Sequence, residues 1–191
     1  MLSAFDHEFT FIRYTSYFAL LSAAAHWAVL SNWDRYEADL KKGLNRFRWA
    51  EYSLSASLIM TLLFLLWGNL DWTQVAGCFV SNVLMCQFGD LHELINSGCS
   101  KKDVKWSAFY YGAIVGVVPW GMMIMEIIRI FSIYDSSVVP WWVWLFVLEY
   151  FLLFFTFPYT MYAQYKQWGK YNNELYPLLK NGGYLQGERQ Y

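Results

Sequence analysis

Charged residues are scarce in this sequence, and those it has avoid the long apolar stretches. Of the 191 residues, 15% are charged, whereas 57% are hydrophobic and 21% are aromatic. Soluble domains carry about a quarter charged residues. An apolar run of about 20 residues is long enough to cross a bilayer as a helix. The composition therefore indicates a membrane protein with the lipid bilayer as its surroundings.

Several functional classes lack the residues that they require. Three cysteines without CxxC spacing predict neither a disulfide framework nor a metal site. A net charge of −1 gives no reason to expect a nucleic-acid partner. The sequence has no HExxH, GxSxG, Walker or GxGxxG motif, so we do not expect an enzyme. The polar residues 1–8, which include no basic residue, do not fit a cleavable signal peptide.

Five hydrophobic segments predict an all-α, polytopic membrane helix bundle. Transmembrane strands alternate apolar with polar residues, whereas 58–67 and 113–125 are apolar on every face. Backbone groups in lipid must be satisfied within the segment, which favours helices. We expect the bundle to occupy residues 1–166 and a polar cytoplasmic tail to occupy 167–191. The predicted transmembrane helices are Phe9–Leu30, Ala50–Gly68, Trp72–Phe88, Ser107–Ile130 and Pro140–Tyr165.

Ionisable residues inside these segments are candidates for function, and none of them is a lysine. Glu51 opens the second predicted helix, and Ser55 shares its helix face one turn later. The carboxylate either favours the helix dipole at the headgroups or acts as a buried counterion for a cation. His26 lies near the cytoplasmic end of the first predicted helix. It is either an interfacial hydrogen-bond donor or a titrating partner of Glu51 in a shared polar pocket.

A polar stripe marks the third predicted helix. Cys78, Asn82 and Cys86 recur every four residues, with Met85 beside them. Such a stripe must face the bundle rather than lipid. It serves either interhelical hydrogen bonds or the wall of a ligand pocket, and the sequence leaves both open.

Two features of the fourth predicted helix have simpler interpretations. Gly112 and Gly116 continue a small-residue stripe that is typical of helix packing. Glu126 and Arg129 are three residues apart near the end of the segment, so we expect them to form an ion pair. Glu149, in the fifth segment, is expected to make no more than a polar contact.

Several motifs resemble the heliorhodopsin family. Residues 48–57, Arg-Trp-Ala-Glu-Tyr-Ser-x-Ser-Ala-Ser, are similar to the motif of that family's third helix. Asn82-x-x-Met85 fits the fourth helix, and Gly116-x-x-Pro119-Trp120 resembles the fifth. Residues 164–166 and 184–191 resemble the end of the sixth helix and the entry to the seventh. The resemblance thus extends in order along the chain.

The resemblance implies a seven-helix, light-sensing protein that binds all-trans retinal as a Schiff base to a lysine of its seventh helix. Family members are photoreceptors or signalling proteins, often homodimeric, and some viral relatives conduct ions. By similarity, Glu51 is the counterion and His26 belongs to a polar cavity on the cytoplasmic side. The full set of residues that the resemblance assigns to the retinal site is Glu51, His26, Ser55, Asn82, Met85 and Trp120.

The sequence also departs from the family pattern. The five segments correspond to helices two to six, so the first helix and the lysine-bearing seventh helix are missing. Phe155 and Thr160 stand where the family has asparagines. We therefore expect a heliorhodopsin-like photoreceptor represented by an incomplete chain, which as given cannot attach retinal covalently. The alternatives are a retinal-free structural or partner-binding membrane protein, and an ion-conducting or transport subunit with a polar path through His26, Glu51 and Asn82.

Basic residues predict the membrane orientation. In a five-helix bundle, 12 of the 14 lysines and arginines fall on one side, and only Arg13 and Arg129 fall on the other. Cytoplasmic loops carry the excess of basic residues. We predict an N-terminus outside and a C-terminus in the cytoplasm. A tag placed after Tyr191 should resist external protease in intact cells, and cleavage without permeabilisation would reverse the assigned orientation.

Overall fold

The computed structural model is all-helical over the residues that it describes, which confirms the predicted fold class. The structure describes residues 4–67, 71–97, 99, 103–133, 139–166 and 168. Within these ranges, side chains are described from residue 16 onward, except that of residue 66. The predicted tail, apart from Trp168, lies outside these residues. The helices are α1 (Ala4–Ser31), α2 (Trp33–Lys41), α3 (Arg46–Leu66), α4 (Trp72–Ile95), α5 (Ser107–Ile133) and α6 (Trp141–Lys166).

Helix α2 occupies a stretch that the hydrophobic pattern leaves as a loop. Nine residues are too few to cross a bilayer. Tyr36 and Leu40 lie one turn apart on the side of α2 that packs inward. The Tyr36 ring meets Phe47 at 5.8 Å, and Leu40 and Leu44 are buried. This packing on the start of α3 makes the segment helical, although its sequence is mostly polar.

Helix α4 corrects the predicted end of the third segment. It continues seven residues past Phe88, to Ile95. Leu91, Leu94 and Ile95 continue the helical spacing of apolar residues, and the polar residues between them, His92 and Glu93, are buried. A search for uninterrupted apolar runs therefore ends the helix too early. Helix α3 likewise begins at Arg46 rather than Ala50. Its first turn is capped by the Asn45 side chain, which accepts from the Arg48 N–H at 3.1 Å.

Two of the described helices, α5 and α6, are long and apolar enough to cross a membrane by length and composition alone. A shorter apolar stretch, Ser16–Ser31, lies within α1. Helices α3 and α4 have 21 and 24 residues, which is sufficient length, but polar residues interrupt their apolar sequence. Their passage through the membrane, and that of α1, stays a prediction.

The α3–α4 connection ends in a capped turn. Asp71 precedes α4 and accepts hydrogen bonds from the Thr73 hydroxyl at 2.6 Å and the Thr73 N–H at 2.8 Å. These bonds, the hydroxyl's first, hold the pKa of Asp71 below its usual value, because they stabilise the carboxylate. Since Trp67 already lies outside α3, few residues separate the helices, and α4 runs back antiparallel along α3.

Helices α3, α4 and α5 form the centre of the bundle. Helix α4 packs between α3 and α5, and α1 packs on α3. Helix α6 meets its neighbours through rings: Trp49 contacts Phe157 at 5.4 Å, and Trp120 contacts Phe151 at 5.0 Å. The main buried cluster consists of Met60, Leu63, Phe64, Trp67, Cys78, Trp120, Met123 and Val143.

Gly89 allows a close contact between α3 and α4. A Cβ at this position would stand 2.2 Å from carbon atoms of the Trp49 indole. The buried Trp49 therefore lies directly on the α4 backbone. At Gly77, in the same helix, an added Cβ would make only an ordinary contact, 3.7 Å from Met122 Cε.

We predict that Gly89→Ala destabilises the protein by about 1–3 kcal/mol, because the indole must move out of a packed site. Gly77→Ala is the matched control and should be neutral or slightly stabilising, since alanine favours helix. Reversible unfolding of the full chain in detergent micelles measures both. Equal effects of the two substitutions would contradict the proposed role of Gly89.

Candidate functional site

The predicted polar pair, His26 and Glu51, meets at Ser22. The Ser22 hydroxyl donates to Glu51 Oε1 at 3.3 Å, which joins α1 to α3. His26 Nδ1 lies 2.7 Å from the Ser22 carbonyl oxygen. A carbonyl only accepts, so Nδ1 carries the proton in this contact. Glu51 is half-buried, whereas His26 is exposed.

A row of hydroxyls follows the opposite face of α3. Ser53, Ser57 and Thr61 each donate to the carbonyl four residues earlier, at 2.6–3.0 Å. Two of these hydroxyl oxygens also accept hydrogen bonds from α4: Gln87 Nε2 donates to Ser53 at 3.0 Å, and Asn82 Nδ2 donates to Ser57 at 3.1 Å. Asn82 of the polar stripe, and Gln87 beside it, therefore make hydrogen bonds between α4 and α3.

Met85, Gly116 and Phe154 converge where α4, α5 and α6 meet. A Cβ added at Gly116 would stand 2.6 Å from Met85 Sδ and 3.6 Å from Phe154 Cζ. Trp120, one turn further along α5, contacts Phe154 at 5.4 Å between ring centres. Trp120 is buried, and its Nε1 has no hydrogen-bond partner among the residues that the structure describes. The same is true of Asn82 Oδ1.

The six residues that the sequence assigns to one site thus divide into two groups. With 3.6 residues per turn, Glu51 and Ser55 point roughly half a turn away from Ser53 and Ser57. Glu51 faces α1 together with His26, and the buried Ser55 follows it on that side. Asn82 bonds to Ser57 on the α4-facing side of α3, and Met85 and Trp120 lie where α4, α5 and α6 meet.

An ion pair between Arg48 and the buried Glu93 lies near Glu51 but outside the sequence-predicted site. Arg48 Nη2 bonds to Glu93 Oε1, and the Asn45 N–H donates to Glu93 Oε2 at 2.9 Å. Only 6% of Glu93 is exposed, so both oxygens receive their bonds away from solvent. Glu93 is missed because the predicted helix 72–88 ends before it. The continued apolar spacing at Leu91, Leu94 and Ile95 is the signal that extends the helix.

His92 is a second buried group in the same extension of α4. Its ring packs against the Tyr165 ring at 4.6 Å and near Trp106 at 5.6 Å. One turn later, Asn96 donates to the Lys105 carbonyl at 3.0 Å and accepts from the Lys105 N–H at 2.7 Å. These contacts tie the ends of α4 and α6 to the start of α5.

The ion pair predicted within the fourth segment is present in α5. Arg129 donates through Nε to both oxygens of Glu126, at 3.0 and 3.1 Å, and through Nη2 to Oε1 at 2.5 Å. Glu126 is 4% exposed. Glu149, by contrast, lies on the exposed side of α6. Among the described residues, no group of three His, Cys, Asp or Glu side chains is arranged to hold a metal ion.

Comparison with known proteins supports the sequence motifs. No curated protein matches the chain. The family model of the heliorhodopsins matches residues 3–191, which is nearly the whole sequence. The all-helical bundle with two clearly apolar helices agrees with a rhodopsin-type membrane protein. The chain belongs to the heliorhodopsin family.

Proposed function

We propose that this chain forms the chromophore-surrounding part of a light-sensing heliorhodopsin, in which Glu51 is the counterion. The observation that carries the proposal is the pairing of the buried glutamates. Glu93 and Glu126 are each bound to an arginine. Glu51 has Ser22 as its hydrogen-bond partner and no ion pair in the described part of the chain. An unneutralised carboxylate inside a bundle is what a cationic chromophore requires.

The side chains between α4, α5 and α6 fit a retinal site. Retinal, when bound through a lysine, supplies the light-absorbing group. Met85 packs directly on Gly116, where a Cβ would stand 2.6 Å from Met85 Sδ, and Phe154 lies on the other side of this contact. Asn82 Oδ1 and Trp120 Nε1 have no hydrogen-bond partner in the described part of the chain, so both offer polar contacts within a largely apolar wall. Such walls with few polar groups are typical of sites for large apolar ligands.

The attachment residue does not come from the described helices. Lys41 and Lys166 lie in the last turns of α2 and α6, and Lys166 Nζ stands over the Trp106 ring at 5.2 Å. The interiors of α1, α3, α4, α5 and α6 contain no lysine. A covalent bond to retinal therefore needs a lysine on a helix beyond these segments, next to the α1 side of α3 where Glu51 lies.

Of the two alternatives, a retinal-free scaffold is favoured by this distribution of lysines. The ion-conducting alternative receives less support. His26 and Glu51 lie on one side of α3, whereas Asn82 lies on the other and is bonded to Ser57. The three residues therefore do not follow one another along a single polar path.

We predict that this chain, mixed with all-trans retinal, forms no stable pigment that absorbs visible light. All eight lysines lie outside the hydrophobic segments, so none can place a bound chromophore beside Glu51. Borohydride reduction followed by peptide mapping should find no retinyl adduct. A red-shifted band together with an adduct on Lys166 or another native lysine would contradict the prediction.

Restoring a lysine-bearing last helix, by fusion or co-expression, tests Glu51 itself. We predict that Glu51→Gln then gives a near-ultraviolet pigment at neutral pH, or a visible pigment that depends on an added anion. The reason is that the neutral amide no longer stabilises the cationic chromophore. His26→Ala should shift the spectrum less, because a neutral histidine supplies a dipole rather than a charge.

Glu149→Gln is the matched control, since Glu149 is the same acid on the exposed side of α6. Its absorption spectrum should equal that of the unmodified pigment. A spectrum that ignores Glu51→Gln but responds to Glu149→Gln would remove Glu51 from the counterion role. It would leave Glu51 as a first-turn carboxylate at the headgroups.

A further inference from the structure

Two acids compete for one arginine at the start of α3. Arg48 lies three residues before Glu51 in the same helix, and side chains at this spacing are neighbours, with about 5–6 Å between their Cβ atoms. An isolated α3 would therefore favour a pair between Arg48 and Glu51. In the folded chain, Arg48 instead binds Glu93 of α4.

Three contacts hold the guanidinium of Arg48 away from Glu51. Glu93 binds Nη2, and the central carbon of the guanidinium lies 5.1 Å from the Trp49 ring centre and 5.7 Å from that of Phe157. Phe157 belongs to α6. Glu51 bonds instead to Ser22 of α1. The arginine and the adjacent acid are thus bound to different helices.

Glu93 is fixed independently of the arginine. Its second oxygen accepts from the Asn45 N–H, while the Asn45 side chain caps the first turn of α3. Arg48 is also not saturated, because its buried Nε has no hydrogen-bond partner among the described residues. The guanidinium therefore keeps a donor that another carboxylate can take once Glu93 loses its charge.

We infer that Glu93 is a positioning residue for Glu51: by binding Arg48, it keeps the Glu51 carboxylate free of the arginine of its own helix. The inference deepens the proposed function, because a counterion already neutralised by Arg48 would stabilise a cationic chromophore less. The pairing itself concerns only residues of this chain, and it can be measured without retinal.

Double-mutant cycles on the full, retinal-free chain in detergent micelles test the pairing through the unfolding equilibrium constant. Arg48→Gln and Glu51→Gln are combined in the native background and in a Glu93→Gln background. With Glu93 present, the two sites should couple by less than about twofold; with Glu93→Gln, by about fivefold or more. The carboxamide of the latter variant still accepts from the Asn45 N–H, so the cap is kept.

Glu126→Gln is the matched control, because Glu126 is likewise a buried glutamate that pairs with an arginine, Arg129 of α5. It should leave the coupling between Arg48 and Glu51 below about twofold. Strong coupling in the native background would overturn the inference, and this arm needs no Glu93 variant. Absence of coupling in the folded Glu93→Gln background would overturn it as well.

A pigment assembled with a lysine-bearing helix separates this inference from the proposed function. Glu93→Gln should shift the absorption maximum, and adding Arg48→Gln should move it back, a rescue that a purely structural role of Glu93 does not predict. If the cycles behave as stated but the pigment ignores Glu51→Gln, the pairing stands and the counterion assignment fails.

Discussion

The contact between α3 and α4 is the interaction on which the rest of the bundle depends. Polar side chains inside apolar helices need partners within the protein, because lipid offers none. Asn82 and Gln87 of α4 find them in the hydroxyls of Ser57 and Ser53. The Trp49 indole, seated on Gly89, closes the same interface. Helix α1 then packs on α3, and α5 packs on α4.

This interface also explains why one helix serves two environments. The α4-facing side of α3 carries hydroxyls that all donate within α3, and two of them, Ser53 and Ser57, also accept from α4. The opposite side keeps Glu51, which is half-buried and bonded to Ser22. Glu93 of α4 pairs with Arg48, the arginine next to Glu51. The contact between α3 and α4 therefore decides whether Glu51 is paired with an arginine. Electrostatics at the candidate site and packing of the core are therefore linked through α4.

The sequence predicts features that depend on one helix at a time. The long apolar runs give the helix class and five of the six described helices, and the spacing of Glu126 and Arg129 gives their ion pair. Features that depend on how two helices are rotated against each other escape it. Glu93 meets Arg48 across 45 positions of sequence, and Trp49 meets Gly89 across 40. The apolar pattern also fails to predict α2 and the end of α4. Both segments contain polar residues, and they are helical because they pack against neighbouring helices.

The bonding pattern of α3 has a consequence for how the chain enters the membrane during synthesis. Ser53, Ser57 and Thr61 satisfy their donors on carbonyls of their own helix, so these three hydroxyls need no acceptor from another helix. Asn82 and Gln87 have no such local solution in the structure and depend on α3 for their bonds. Since α3 precedes α4 along the chain, the hydroxyls of Ser53 and Ser57 are synthesised before the amides of Asn82 and Gln87. When α4 is synthesised, its acceptors are already present, so the order of synthesis favours the native pairing of α3 with α4.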